Sequence, residues 1–157
     1  MNEKDLTARA RRPYILMTAL ACLLYFTSYV TRLNYNASLA DIVESAVLSK
    51  SEAGIVSTAL FFSYGAGQIV SGILGDKVRP QWLILAGLIL TIACNAVFPL
   101  FSSVAPMTAV WTVNGFAQAL FWPPLLKLLT QYIPAEKFSL ACFAIVAASQ
   151  IATIVIY

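Results

Sequence analysis

The chain has 157 residues, of which 60% are hydrophobic and 11% charged, with a mean hydropathy of +0.79. A soluble domain carries about 25% charged residues, so this surface cannot face water all round and must be solvated by lipid. The net charge of +3 does not indicate a nucleic-acid partner, because the basic residues stand singly between long apolar runs and make no basic face.

A membrane-spanning helix needs about 20 mostly apolar residues. Five segments qualify, approximately 13–40, 53–75, 82–101, 105–132 and 138–157, behind a tail of residues 1–12. They predict an all-α, polytopic membrane helix bundle. Arg9, Arg11 and Arg12 before the first apolar stretch resemble the start of a signal peptide, but four further spans make that stretch a retained first helix. The first segment is longer than a bilayer requires, which predicts tilt or an extension beyond it. Ser49 to Glu52 supply an N-cap and an early carboxylate for the second helix. Gly65, Gly67 and Gly72 predict close helix contact there, with Gly67 and Ser71 as a small-xxx-small pair. Pro80 breaks the chain before the third span, Pro99 and Pro106 bracket the next connection, and Pro134 closes the fourth helix. The fifth span stops at Tyr157 without a polar flank, which predicts a fragment or truncated product; five helices cannot build both walls of an alternating-access cavity.

Orientation follows from the basic residues. One side receives Lys4, Arg9, Arg11, Arg12, Lys77, Arg79, Lys127 and Lys137; the other receives Lys50 alone. This bias predicts a cytoplasmic N-terminus in a cell membrane. Cys22, Cys94 and Cys142 lie inside apolar runs without metal-ligand spacing, and the chain has no histidine. No catalytic residue, metal site or cofactor is predicted, since no nucleophile–base pair or phosphate loop is present.

Arg32 is the basic residue out of place, some 19 positions beyond Pro13. An arginine within the membrane costs about 2.5–3.5 kcal/mol on insertion scales and usually faces a water-filled cavity. At helical spacing, Tyr25, Tyr29, Arg32 and Asn36 form one stripe. The alternative is an arginine that snorkels to the outer interface. A planar five-donor fork suits a carboxylate or phosphate, so the residues here predict an anion site. Tyr64 and Gln68 bring polar groups to similar depth on the second helix. On the fourth, Asn114, Gln118 and Trp122 stand one turn apart before Pro123 and Pro124, a pair that either lines a cavity or makes a structural kink.

Gly72-Ile-Leu-Gly-Asp76-Lys77-Val-Arg79 follows the second span. It resembles the Gly-x-Leu-x-Asp-basic signature of the major facilitator superfamily, at the position where that family carries it. Asp76, Lys77 and Arg79 would then make charge-assisted contacts that latch the inner face. Within the superfamily the chain is similar to the organophosphate–phosphate antiporters, the glycerol-3-phosphate and hexose-phosphate transporters. Tyr25, Tyr29, Arg32 and Asn34 match their first-helix pattern, Tyr64 their second-helix tyrosine, and Gly115, Gln118, Trp122, Pro123 and Pro124 their fourth-helix motif. Leu33, Gln68 and Ser149 replace basic or titratable residues of the glycerol-3-phosphate transporter, which favours a less highly charged anion.

The resemblance implies the N-terminal portion of a secondary transporter, completed by a C-terminal half, carrying a small organic anion by alternating access. Exchange of an organophosphate for phosphate is the finer expectation. Arg32 would bind the anionic group, Tyr25, Tyr29, Tyr64 and Gln68 would orient it, and Gln118 and Trp122 would line the far wall. Gly72, Asp76, Lys77, Arg79, Pro123 and Pro124 would serve conformational change. The alternatives are a transporter-like sensor of an anionic metabolite and a nonfunctional remnant.

Overall fold

The computed structural model describes residues 3–157, with side chains from Tyr14 onward. The basic side chains expected in the N-terminal tail, Lys4, Arg9, Arg11 and Arg12, lie outside the described side chains. Among the described residues there is no strand, so the all-α expectation holds. The helices are α1 (Glu3–Ala37), α2 (Leu39–Glu44), α3 (Lys50–Lys77), α4 (Pro80–Val97), α5 (Val104–Ala119), α6 (Trp122–Tyr132) and α7 (Ala135–Ile156), with a 3₁₀ turn at Phe98–Leu100.

Among the described residues four stretches are long and apolar enough to cross a membrane: Tyr14–Glu44, Lys50–Lys77, Pro80–Leu100 and Ala135–Ile156. The expected fourth span, 105–132, is instead two shorter helices, α5 and α6, interrupted at Leu120 and Phe121. The cause is covalent. Pro123 and Pro124 carry no N–H, so the carbonyls of Ala119 and Leu120 lose the donors a continuous helix would offer. The chain closes α5 with bonds that span three residues instead of four, Leu120 N to Ala117 O at 3.2 Å and Phe121 N to Gln118 O at 3.3 Å. It then restarts with both prolines in the first turn of α6, where a missing donor is harmless. Pro134 lies beyond the end of α6 and caps α7.

The first span also differs from a single helix. After Ala37 the chain continues through Ser38 into α2, then reverses at Ala46, whose φ of 57° lies in the left-handed region. The N–H of Val47 donates to Ile42 O, a helix-ending bond that holds this conformation. The start of α3 is a capping box: Ser49 accepts from Glu52 N while Glu52 accepts from Ser49 N.

Packing is dominated by two helix pairs, α3 with α5 and α1 with α7, while α4 backs α5 and α6. Small residues set the first pair. A Cβ on Gly115 would strike the Leu60 carbonyl and Ser63 Oγ, and one on Gly67 would approach Ala119 Cβ to 2.7 Å. Gly65 and Gly72 differ from the close-contact expectation, for a Cβ there meets nothing within 4 Å. One apolar cluster gathers Ala21, Tyr25, Phe121, Leu125, Leu129 and Ile145. The second, toward the opposite end, gathers Tyr35, Val56, Leu60, Phe98 and Trp111. There the Tyr35 ring meets Phe98 at 5.3 Å and Trp111 at 5.7 Å, and its hydroxyl donates to Ala53 O at 3.1 Å.

The two kinds of glycine separate in a stability measurement. Gly115→Ala meets a backbone carbonyl that cannot step aside and should cost about 1–3 kcal/mol, read as a lower unfolding temperature in detergent. Gly65→Ala fills open space and should be neutral or gain up to about 1 kcal/mol from helix propensity. Equal behaviour of the two variants would contradict the packing described.

Candidate functional site

Arg32 is 7% exposed, on a helix flanked by apolar neighbours. Its surroundings are neutral. The Nε donates to Gln118 Oε1 at 3.1 Å, and Ser28 Oγ donates to the same oxygen at 2.7 Å. Gln118 Nε2 in turn donates to Thr31 Oγ1 at 3.2 Å. The guanidinium carbon stands 4.2 Å from the Tyr64 ring centroid and 4.9 Å from that of Tyr29. Cation–π contacts of this kind contribute about 0.5–2 kcal/mol each. Among the described residues no carboxylate pairs with Arg32, and its terminal nitrogens, the bidentate end of the fork, make no hydrogen bond.

Three helices therefore meet at one charge. α1 supplies Ser28, Tyr29, Thr31 and Arg32, α3 supplies Tyr64, and α5 supplies Gln118. Tyr25 sits two turns before Arg32, its ring 6.3 Å from Tyr29 and 5.0 Å from Trp122, the latter edge to face. Gln68, one turn beyond Tyr64, has a buried Nε2 without a partner. Asn114, one turn before Gln118, is fully buried with both amide atoms unpartnered. Such groups cost about 1–3 kcal/mol each when left unsatisfied.

The break between α5 and α6 decides how this site is aimed. Gln118 lies in the last turn of α5 and Trp122 is the first residue of α6. The break rests on Gly87 of α4: a Cβ there would come within 2.6 Å of the Ala117 carbonyl and 2.8 Å of the Phe121 ring. Only a glycine lets α4 come this close beneath the two helix ends.

The predicted stripe is only partly gathered. Tyr25, Tyr29 and Arg32 stay together, whereas Asn36 Oδ1 accepts from Ser57 Oγ of α3 at 2.7 Å and Asn34 bonds Asn95 of α4 at 2.7 Å. At the end where α3 and α6 finish, Asp76 stands 3.6 Å from Lys127 Nζ. Lys127 also donates to Gly75 O at 2.6 Å, tying α6 to the last turn of α3. This is the one ion pair among the described residues, so Lys77 and Arg79 stand exposed beside it without a carboxylate. Both partners are solvated, and the pair contributes at most about 1 kcal/mol.

Ser28, Thr31 and Lys127 were not among the residues the sequence singled out for the site or its latch. Ser28 lies one turn from Arg32 and could have been read from helical spacing. Lys127 had a plainer signal, a single charge inside the run Leu125 to Leu129.

The Gly87 notch has a measurable consequence. Gly87→Ala should displace the α5–α6 junction and lower the unfolding temperature by the equivalent of about 1–3 kcal/mol. It should also alter the Trp122 environment, seen as a shift in tryptophan emission absent from Trp122→Phe. An unchanged protein would show that the junction does not rest on α4.

The family model for the Major Facilitator Superfamily matches residues 21–157. The chain is 32% identical over 114 residues to a probable hexose phosphate transport protein of Chlamydia pneumoniae, covering 72% of this chain and 25% of the relative. It is 33% identical over 130 residues to the membrane sensor protein UhpC of Escherichia coli, covering 83% and 29%. It is 30% identical over 117 residues to the glycerol-3-phosphate transporter of Bacillus subtilis, covering 72% and 26%. No solved structure matches. The chain spans about a quarter of the length of these relatives. With a family match running from the first membrane helix to Tyr157, and a bundle of apolar helices to go with it, the chain belongs to the Major Facilitator Superfamily.

Proposed function

We propose that this chain forms part of a secondary transporter for a small organic anion, with Arg32 as the anchor of the anionic group. The observation that carries the reading is a buried guanidinium whose Nε is taken by Gln118 and whose fork end has no carboxylate among the described residues. Coulomb attraction is strong in such a low-dielectric setting, and an incoming carboxylate, sulfonate or phosphate satisfies both the charge and the free donors. Gln68 Nε2 adds a further donor without an acceptor. Tyr25, Tyr29 and Tyr64 supply aromatic faces, with Trp122 packed edge-on against Tyr25 and Gln118 held on the Arg32 Nε. Relatives described as hexose phosphate and glycerol-3-phosphate transporters support an organophosphate, and exchange against phosphate is the finer form of the proposal.

Alternating access then falls to the broken α5–α6 element and to the Gly72–Arg79 connection, where the Lys127 contacts to Gly75 and Asp76 hold α6 against α3 in the described state. The rest of the transport path comes from a C-terminal half packed against this bundle in the bilayer. In this reading the N-terminus is cytoplasmic, as the basic-residue bias favours. Alkaline phosphatase fused within the 99–110 connection should be active and the same fusion after Lys77 inactive; the reverse pattern would invert the topology.

A membrane sensor is the second reading, favoured by the similarity to UhpC. Reconstituted vesicles carrying the protein at its native length separate the two. A transporter exchanges labelled anion across the vesicle wall, whereas a sensor binds it without counterflow. In the transporting case Arg32→Lys should reduce exchange about ten- to a hundred-fold, since the compact ammonium loses the fork and the Gln118 contact. Membrane insertion should be unaffected. Normal exchange in that variant would remove Arg32 from the binding site.

A further inference from the structure

We propose that the cleft between the start of α4 and the end of α6 binds the phosphate headgroup of an anionic phospholipid through Arg79. The cleft holds about 470 Å³ and is lined by Arg79, Pro80, Gln81, Trp82 and Gln131. Pro80 is buried and forms its floor, while Arg79, Gln81, Trp82 and Gln131 stand exposed around it. Because Asp76 is engaged by Lys127, Arg79 has no carboxylate among the described residues. A guanidinium flanked by two side-chain amides offers charge and several N–H donors to one phosphate.

The surroundings point to a lipid rather than a free phosphate. Trp82 is 62% exposed, in contrast to Trp111 at 2%. Exposed tryptophan at a helix end is the usual anchor at headgroup level. From Trp82 an exposed apolar stripe continues along α4 through Leu85, Ile89 and Ile92, spaced by three or four residues on one face. A headgroup held at Arg79 would thus lay its acyl chain directly along that face.

Charge complementarity agrees. At this end of the bundle, among the described side chains, Lys77, Arg79, Lys127 and Lys137 stand with Asp76 and Glu136, an excess of two positive charges. At the opposite end Lys50 faces Asp41, Glu44 and Glu52, an excess of two negative charges. Only one end can attract an anionic leaflet, and the cleft opens there.

The test is native mass spectrometry of the full-length protein released from nanodiscs holding equal amounts of phosphatidylglycerol and phosphatidylcholine. The expected result is preferential retention of phosphatidylglycerol, reduced about five-fold in Arg79→Gln. Arg79→Lys should keep most of the preference, and Trp82→Ala should weaken it. Lys77→Gln, outside the cleft, should leave it unchanged. Soluble glycerol phosphate should not displace the lipid. Equal retention in Arg79→Gln and the parent protein would overturn the proposal. So would an equal loss in Lys77→Gln, which means diffuse surface charge, or displacement by soluble glycerol phosphate, which means a free-phosphate site. Arg32→Lys should retain the lipid, so failure here and failure of the anion-transport reading are distinguishable.

Discussion

A permanent positive charge held inside an apolar bundle without a negative partner is the constraint around which this chain is built. Arg32 cannot shed its proton, and no carboxylate meets it among the described residues. The bundle answers with neutral groups only: a side-chain amide on Nε and the faces of two tyrosines. A carboxylate in place of Gln118 would hold the charge more tightly but would also neutralise it. The neutral shell leaves the charge uncompensated, which is the feature on which the proposed anion site rests.

That shell dictates the helix packing. Gln118 and Tyr64 lie on different helices from Arg32, so α5 and α3 must both be fixed against α1. The close approach of α3 and α5 rests on Gly115 and Gly67, and the placement of the α5 end rests on Gly87. The proline pair ends α5 just after Gln118 and turns Trp122 toward Tyr25. Away from the charge, ordinary means suffice: an aromatic cluster around Tyr35, the capping box at Ser49, and a lysine binding the exposed end of α3.

Relative to the glycerol-3-phosphate transporter pattern, Leu33, Gln68 and Ser149 remove basic or titratable groups, and their places in the structure differ. Ser149 is buried on α7 and donates to its own helix at Val146 O. Gln68 keeps a buried donor without an acceptor close to Tyr64. The electrostatic weight of this bundle therefore falls on one residue, while hydrogen-bond donors remain in surplus around it.

Membrane residence, helical class and the identity of the out-of-place arginine were legible in the sequence, because each depends on composition or local spacing. A run of apolar residues declares its solvent whatever its neighbours are, and an arginine within it is conspicuous. The capping box at Ser49 and the disruptive effect of Pro123 and Pro124 were local for the same reason. The residues that hold Arg32 were only half legible: Tyr29 shares its helix face, but nothing in one dimension says that Gln118, 86 residues away, would supply the acceptor for its Nε. Likewise Gly65, Gly67 and Gly72 of α3 look alike in sequence, and only the packing separates Gly67, pressed on α5, from Gly65 and Gly72, which face open space. Asp76, Lys77 and Arg79 were read together as a latch for the inner face, but the chain order does not name the partner of Asp76, which is Lys127 on another helix. Local periodicity determined which groups this chain would bury; the close approach of separate helices, which spacing along one helix cannot encode, decided which of them meet.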